Sequence, residues 1–232
     1  MEKAVLGKVQ TFSPGSRKEL IEFAFEQKKI LVAVNAEKII RADGELLEII
    51  NRHIGYPDGV GAVWALKKKG FKQALKIPGC ELWLDIIRQS VADKSFYLVG
   101  GTQEVIDETI EKLHVDFPEI SITGYRNGYV QSPEEVAELK AILEKQKPDV
   151  VFVAMGTPKQ ELLMQELHAV HPAVYQGLGG SFDVYVGKVQ RAPKWWIEHH
   201  LEWAYRLVKQ PKRIRRQFQL LPFFIKLKCN KL

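Results

Sequence analysis

Asp149-Val150-Val151-Phe152-Val153-Ala154-Met155, followed by Gly156-Thr157-Pro158-Lys159-Gln160-Glu161, is the stretch that decides the fold class. Its nearly unbroken apolar run reads as a strand buried on both faces. The Gly-Thr-Pro turn and the Lys-Gln-Glu that follow read as the entry to a helix. Working outward, the same alternation recurs. Strands are expected at 30–34, 96–99, 120–123, 150–153 and 174–176. Helices are expected near 17–27, 37–52, 79–91, 103–113, 133–146 and 159–170. Ser132-Pro133-Glu134-Glu135 is a strong helix start, with a Ser cap, Pro at the first position and acids in the first turn. Strands alternating with helices imply an α/β fold: a Rossmann-like, largely parallel sheet with helices on both faces. The one compositional break, near 187–193, separates a core of residues 1–190 from a basic helical C-terminal appendage of residues 191–232.

Composition narrows the class further. The 232 residues are 46% hydrophobic and 27% charged, which is ordinary for a globular protein. The longest apolar runs, such as 150–155 and 223–225, are far shorter than the ~20 residues of a membrane span. Met1-Glu2-Lys3 leads into a strand-like segment without a signal-peptide pattern. Cys80 and Cys229 have no paired spacing and read as inert thiols of a reduced, cytosolic protein.

The net charge of +6 is unevenly placed. Residues 188–232 hold 12 Lys/Arg against 2 Asp/Glu, so the remainder is mildly acidic, and no acid follows Glu202. Trp195, Trp196, Trp203, Tyr205, Phe218 and Phe224 are interleaved with those cations. That mixture fits a solvated helix face or the surface of an anionic membrane. Nucleic acid is the other anionic partner, but no known binding module or stacking platform is present. A homo-oligomer stays open.

In parallel sheets ligands gather beyond the carboxyl ends of the strands. Those ends carry Asn35-Ala36-Glu37-Lys38, Gly100-Gly101-Thr102, Gly156-Thr157-Pro158-Lys159-Gln160-Glu161 and Gly177-Leu178-Gly179-Gly180-Ser181-Phe182-Asp183. Small residues there give a phosphate access to backbone N–H groups. Gly156 to Glu161 is either a plain strand–helix junction or a site where Lys159 and Gln160 meet a pyrophosphate. Tyr56-Pro57-Asp58-Gly59 reads first as a β-turn and second as a general base held at a loop tip. His168, His171, His199 and His200 lack the carboxylate or thiol that would complete a metal set. There is no P-loop, HExxH, GxSxG or Asp-x-Asp. No cofactor or metal is expected from this set.

The ordered set Asn35 to Lys38, Pro57-Asp58-Gly59, Leu98-Val99-Gly100-Gly101, Gly156 to Glu161, Gly179 to Asp183, Arg191-Ala192-Pro193 and Leu201 to Leu207 resembles the WecG/TagA/CpsF glycosyltransferase family over essentially the whole chain. Val34 to Lys38 and the run Gln210 to Gln217 look most like its WecG branch. That resemblance implies inverting transfer of N-acetylmannosaminuronic acid from its UDP sugar to undecaprenyl-diphosphate N-acetylglucosamine, in enterobacterial common antigen synthesis. The alternative is N-acetylmannosamine from UDP-N-acetylmannosamine, as in the teichoic-acid branch. It further implies a peripheral enzyme on the cytoplasmic face of the bacterial inner membrane, with the appendage docking there and covering the site. Asp58 matches the family's catalytic base and Asn35 an active-site asparagine. Gly100, Gly101, Gly156, Thr157, Lys159, Gln160, Gly179, Gly180 and Asp183 fall on positions around the UDP pocket. Arg206, Arg213 and Arg216 match arginines that meet diphosphate, and Lys159 and Arg191 are candidates for a donor carboxylate. One departure is Ala33, where a threonine is expected.

Overall fold

The structure, a computed structural model, describes residues 1–199, 202–209 and 220–229. An antiparallel hairpin, β1 (Lys3–Leu6) and β2 (Val9–Phe12), precedes α1 (Arg17–Gln27) and β3 (Ile30–Val34). Next come α2 (Ala36–Arg41), α3 (Gly44–Arg52), β4 (Ile54–Pro57), α4 (Val60–Lys68) and α5 (Gly79–Ser90). The chain continues through β5 (Ser95–Gly100), α6 (Gln103–Asp116), β6 (Ser121–Arg126), α7 (Pro133–Gln146), β7 (Val150–Ala154), α8 (Lys159–Val170) and β8 (Val174–Gly177). It ends with α9 (Ser181–Tyr185), α10 (Lys194–Glu198), α11 (Glu202–Lys209) and α12 (Leu221–Lys228).

β3 to β8 form one sheet in the order β4-β3-β8-β7-β5-β6, every neighbouring pair parallel. The two-residue period of a strand splits its side chains between two cores. Val32, Val34, Val99, Val151 and Val153 face one core with α3, α4 and α8. Leu31, Phe96, Leu98 and Phe152 face the other with α1, α5 and α6. All five residues of β7 are buried, as its apolar run requires. Trp83 anchors the second core, fully buried and edge-on to Phe152 and Phe182 at 5.6 and 5.7 Å. Full burial of such side chains contributes about 1.5–3 kcal/mol each. Helix starts are fixed locally: Ser16, Asn35, Thr102 and Ser132 each cap a helix through a side-chain oxygen, Ser132 in a capping box with Glu135.

The Rossmann-like α/β fold expected from sequence is therefore present. Three local expectations need correction. The single helix expected over 37–52 is two, because Ala42 and Asp43 are extended and Gly44 adopts φ +48°. Tyr56 and Pro57, read as the start of a turn, instead end the edge strand β4. Asp58-Gly59 then leads into α4, a helix hidden by its glycines. At the other end of the chain, the break near 187–193 is a segment without regular structure between α9 and α10. Beyond it, α12 packs on the first core through Phe223, which is fully buried.

Candidate active site

Because all six strands are parallel, their carboxyl ends open on one edge of the sheet. Val34 and Pro57 are partners in the β3–β4 register, so their successors Asn35 and Asp58 emerge side by side. The Asp58 N–H donates to the Val34 carbonyl at 2.9 Å. Asn35 turns its side-chain oxygen to the Lys38 N–H (3.0 Å), capping α2. Asp58 Oδ1 accepts from the Gly79 N–H at the start of α5 (3.4 Å). Gly79 fits there because a Cβ would lie 2.9 Å from the Tyr56 hydroxyl. Burial pushes the Asp58 carboxyl above the usual carboxylate range. The Gly79 N–H, Lys38 and Lys76 oppose that rise, and Glu202 adds to it. Tyr56 is fully buried, so its phenol is held neutral. Gln176 Nε2 donates to that phenol oxygen (3.3 Å) and to the Gly79 carbonyl (3.1 Å).

The Gly156–Glu161 segment supplies the opposite wall. Gln160 is buried, and its Oε1 accepts from the N–H groups of Gly156 (3.1 Å) and Gly179 (2.9 Å). It thus ties together the loops after β7 and β8, using two N–H groups that the sequence offered to a phosphate. Gly177 makes room for it, since a Cβ there would sit 2.5 Å from Gln160 Nε2. Gly156 and Gly179 hold φ of +79° and +59°, with open space where a Cβ would point. Gly100 differs: a Cβ would fall 2.5 Å from the Ala154 carbonyl oxygen, so this residue serves close packing of β5 on β7. Gly101 donates its N–H to the same carbonyl (3.2 Å) and accepts at its own from Gly128 (2.9 Å).

Two residues that sequence reading passed over sit at the centre. Lys38 and Glu161 form a buried ion pair at 2.8 Å. Lys38 Nζ also donates to the Ala33 carbonyl (2.9 Å). Glu161 Oε1 additionally accepts from Thr157 Oγ1 (3.0 Å) and Gln160 Nε2 (3.2 Å), while Oε2 is buried without a partner. The pair joins the end of β3 to the start of α8, and two charged residues inside adjoining motifs were the available signal. Lys159 is exposed at the start of α8. Gly180 caps α9, and Asp183 lies half-buried within it. Arg191 reaches the start of α5, pairing with Glu81 (2.6 Å) and, through Nε, with Glu202 (3.8 Å). Lys76 pairs with Glu202 as well, at 3.8 Å. These contacts seat α11 beside Asp58. The Arg206 side chain and all of Arg213 and Arg216 lie outside the described residues.

Among the described residues no group of three or more His, Cys, Asp or Glu gathers to hold a metal ion, and no helix is long and apolar enough to cross a membrane. The edge offers a carboxylate of raised basicity, a neighbouring amide and two open glycine loops. That set suits removal of a proton from a hydroxyl next to a bound anion. A family model described as "Glycosyl transferase WecG/TagA/CpsF family" matches residues 8–232, nearly the entire chain. The chain belongs to this family and is a glycosyltransferase.

Proposed function

We propose that the enzyme transfers N-acetylmannosaminuronate from its UDP sugar to polyprenyl-diphosphate-linked N-acetylglucosamine, with inversion, as a peripheral protein on the cytoplasmic face of the bacterial inner membrane. The observation that carries the chemistry is the position of Asp58, beside Asn35 and against the start of α5. Asp58 takes the proton of the acceptor hydroxyl while that oxygen attacks the anomeric carbon. The bond to UDP breaks in the same displacement, and no covalent sugar–enzyme species is formed. A carboxylate made more basic by burial suits this role. The donor diphosphate lies along the Gly156 and Gly179 loops, with Thr157 just ahead of α8, Lys159 in its first turn and the helix dipole favouring the anion. Gln160 and the Lys38–Glu161 pair hold those loops in place. The basic appendage, tied to the core through Arg191–Glu81 and Glu202–Lys76, docks on anionic lipid, and its Arg206, Arg213 and Arg216 are assigned to the diphosphate of the lipid acceptor on the family resemblance.

The second reading is the same displacement with UDP-N-acetylmannosamine. UDP release, measured with each donor and a short-chain polyprenyl-diphosphate N-acetylglucosamine, separates the two. Preference for the uronate donor supports the assignment, and equal use of the uncharged sugar defeats it.

A further inference from the structure

α4 begins two residues beyond Asp58. Its inner residues Ala62, Val63, Ala65 and Leu66 are buried in the core, Val63 at its margin. Its outer flank is not. Trp64 is 49% exposed, and with Val60, Val63 and Leu75 it lines a groove of about 250 Å³. Lys67 and Lys76 supply the charged part of the wall. The surrounding stretch, residues 59–80, holds five lysines and no acid. Core packing does not account for a tryptophan held at the rim of an apolar groove among lysines, because its ring gains little there from burial.

α12 extends the same surface. Phe223 packs at Gly61, where its ring would lie 3.2 Å from an added Cβ. Lys68 Nζ donates to the carbonyls of Leu227 (2.6 Å) and Lys228 (3.3 Å), which fixes the end of α12 against α4. Phe224 and Ile225 are left 46% and 63% exposed. Apolar wall, cations and adjacency to Asp58 describe an occupant that is a hydrocarbon at one end and a polyanion at the other, with its reacting group beyond the anion. Lys76 pairs with Glu202 only at 3.8 Å, a contact that a phosphate oxygen can replace.

We propose that this groove is the lipid subsite of the acceptor: it takes the isoprenoid segment adjoining the diphosphate, Lys67 and Lys76 meet the diphosphate, and the rest of the chain leaves past Trp64. The proposal rests on the lipid-linked acceptor of the preceding section. A groove of this size takes only the first part of a polyprenyl chain, so the exposed apolar residues of α4 and α12 face the lipid that holds the remainder.

The test is equilibrium binding to the full chain, with farnesyl diphosphate and inorganic diphosphate as probes. Each methylene removed from water is worth about fourfold in affinity. Farnesyl diphosphate is therefore expected to bind at least about tenfold more tightly than inorganic diphosphate. Trp64→Ser is expected to lose about tenfold for farnesyl diphosphate and nothing for inorganic diphosphate. Val115→Ser, at a 78% exposed site on α6, is expected to bind both probes as wild type does. Equal farnesyl diphosphate binding by wild type and Trp64→Ser overturns the proposal, as does an equal loss in Val115→Ser. Wild-type self-association abolished by Trp64→Ser and unaffected by farnesyl diphosphate also overturns it, by making the face a contact between copies. The expected binding pattern without any glycosyl transfer supports the subsite while defeating the substrate assignment above.

Discussion

Lowering the pH from 7 to 5 is predicted to destabilise the fold through His53, at the opposite end of the sheet from Asp58. His53 is 5% exposed. Its Nδ1 faces the Ile30 N–H at 3.4 Å and its Nε2 faces Gln165 Oε1 at 2.9 Å. These partners assign the neutral form with the proton on Nε2. Burial pushes its pKa down to about 4, with His168, Lys29 and Arg52 acting in the same direction and the Gln165 bond opposing them. The unfolded chain takes up a proton near pH 6.5 and the native state only near pH 4. Stability from His53 is thus fully present above pH 6.5 and falls as the pH drops towards 4. Linkage gives a loss of about 2 kcal/mol between pH 7 and pH 5. The assay is urea unfolding at both pH values for wild type and His53→Gln. Wild type should lose about 2 kcal/mol more than the variant over that interval. An equal loss in both would refute the reasoning, and would mean that the imidazole is protonated in the native state at pH 5.

Three further outcomes follow from the packing around the site. Lys38→Met leaves Glu161 buried and uncompensated and should cost about 3–5 kcal/mol, while Lys38→Met with Glu161→Met should recover most of it; chemical denaturation checks both. Gly177→Ala places a Cβ 2.5 Å from Gln160 Nε2 and should displace that side chain. Faster amide exchange at Gly156 and Gly179 would report the lost tethers, and wild-type protection would contradict them. Phe223→Ala removes the fully buried anchor of α12 and should expose the segment to limited proteolysis at low protease. Unchanged cleavage would mean that α12 is held by other contacts.

What the sequence made legible follows from how local each signal was. β7 declared itself because it is buried on both faces, and α7 because its cap, proline and acids lie within four residues. β4 did not: Ile54-Gly55-Tyr56-Pro57 carries two residues that disfavour strands. Gly55 is nonetheless required, since a Cβ there would fall 2.6 Å from the Gln10 carbonyl of the hairpin packed on that edge. Asp58 and Asn35 were visible as residues, but their adjacency depends on a register between β3 and β4 that only the fold supplies. Gln160 was visible as a member of a motif. Its task, joining two loops through one oxygen, depends on β8 lying between β3 and β7. Lys38 and Glu161, 123 residues apart, were visible only as members of two separate strand-end motifs, and their pairing depends on α2 and α8 converging.

The central claim is that Asp58 acts as the base in sugar transfer. Its most direct test is acceptor-dependent UDP release by wild type and Asp58→Asn, followed as kcat/KM against pH. Wild type should turn over, with activity falling as the pH drops through a carboxyl value raised above the ordinary aspartate range. Asp58→Asn should lose about 10²–10⁴-fold in kcat/KM while still binding donor. Turnover by Asp58→Asn within a few fold of wild type, with the acid limb unchanged, would contradict the account.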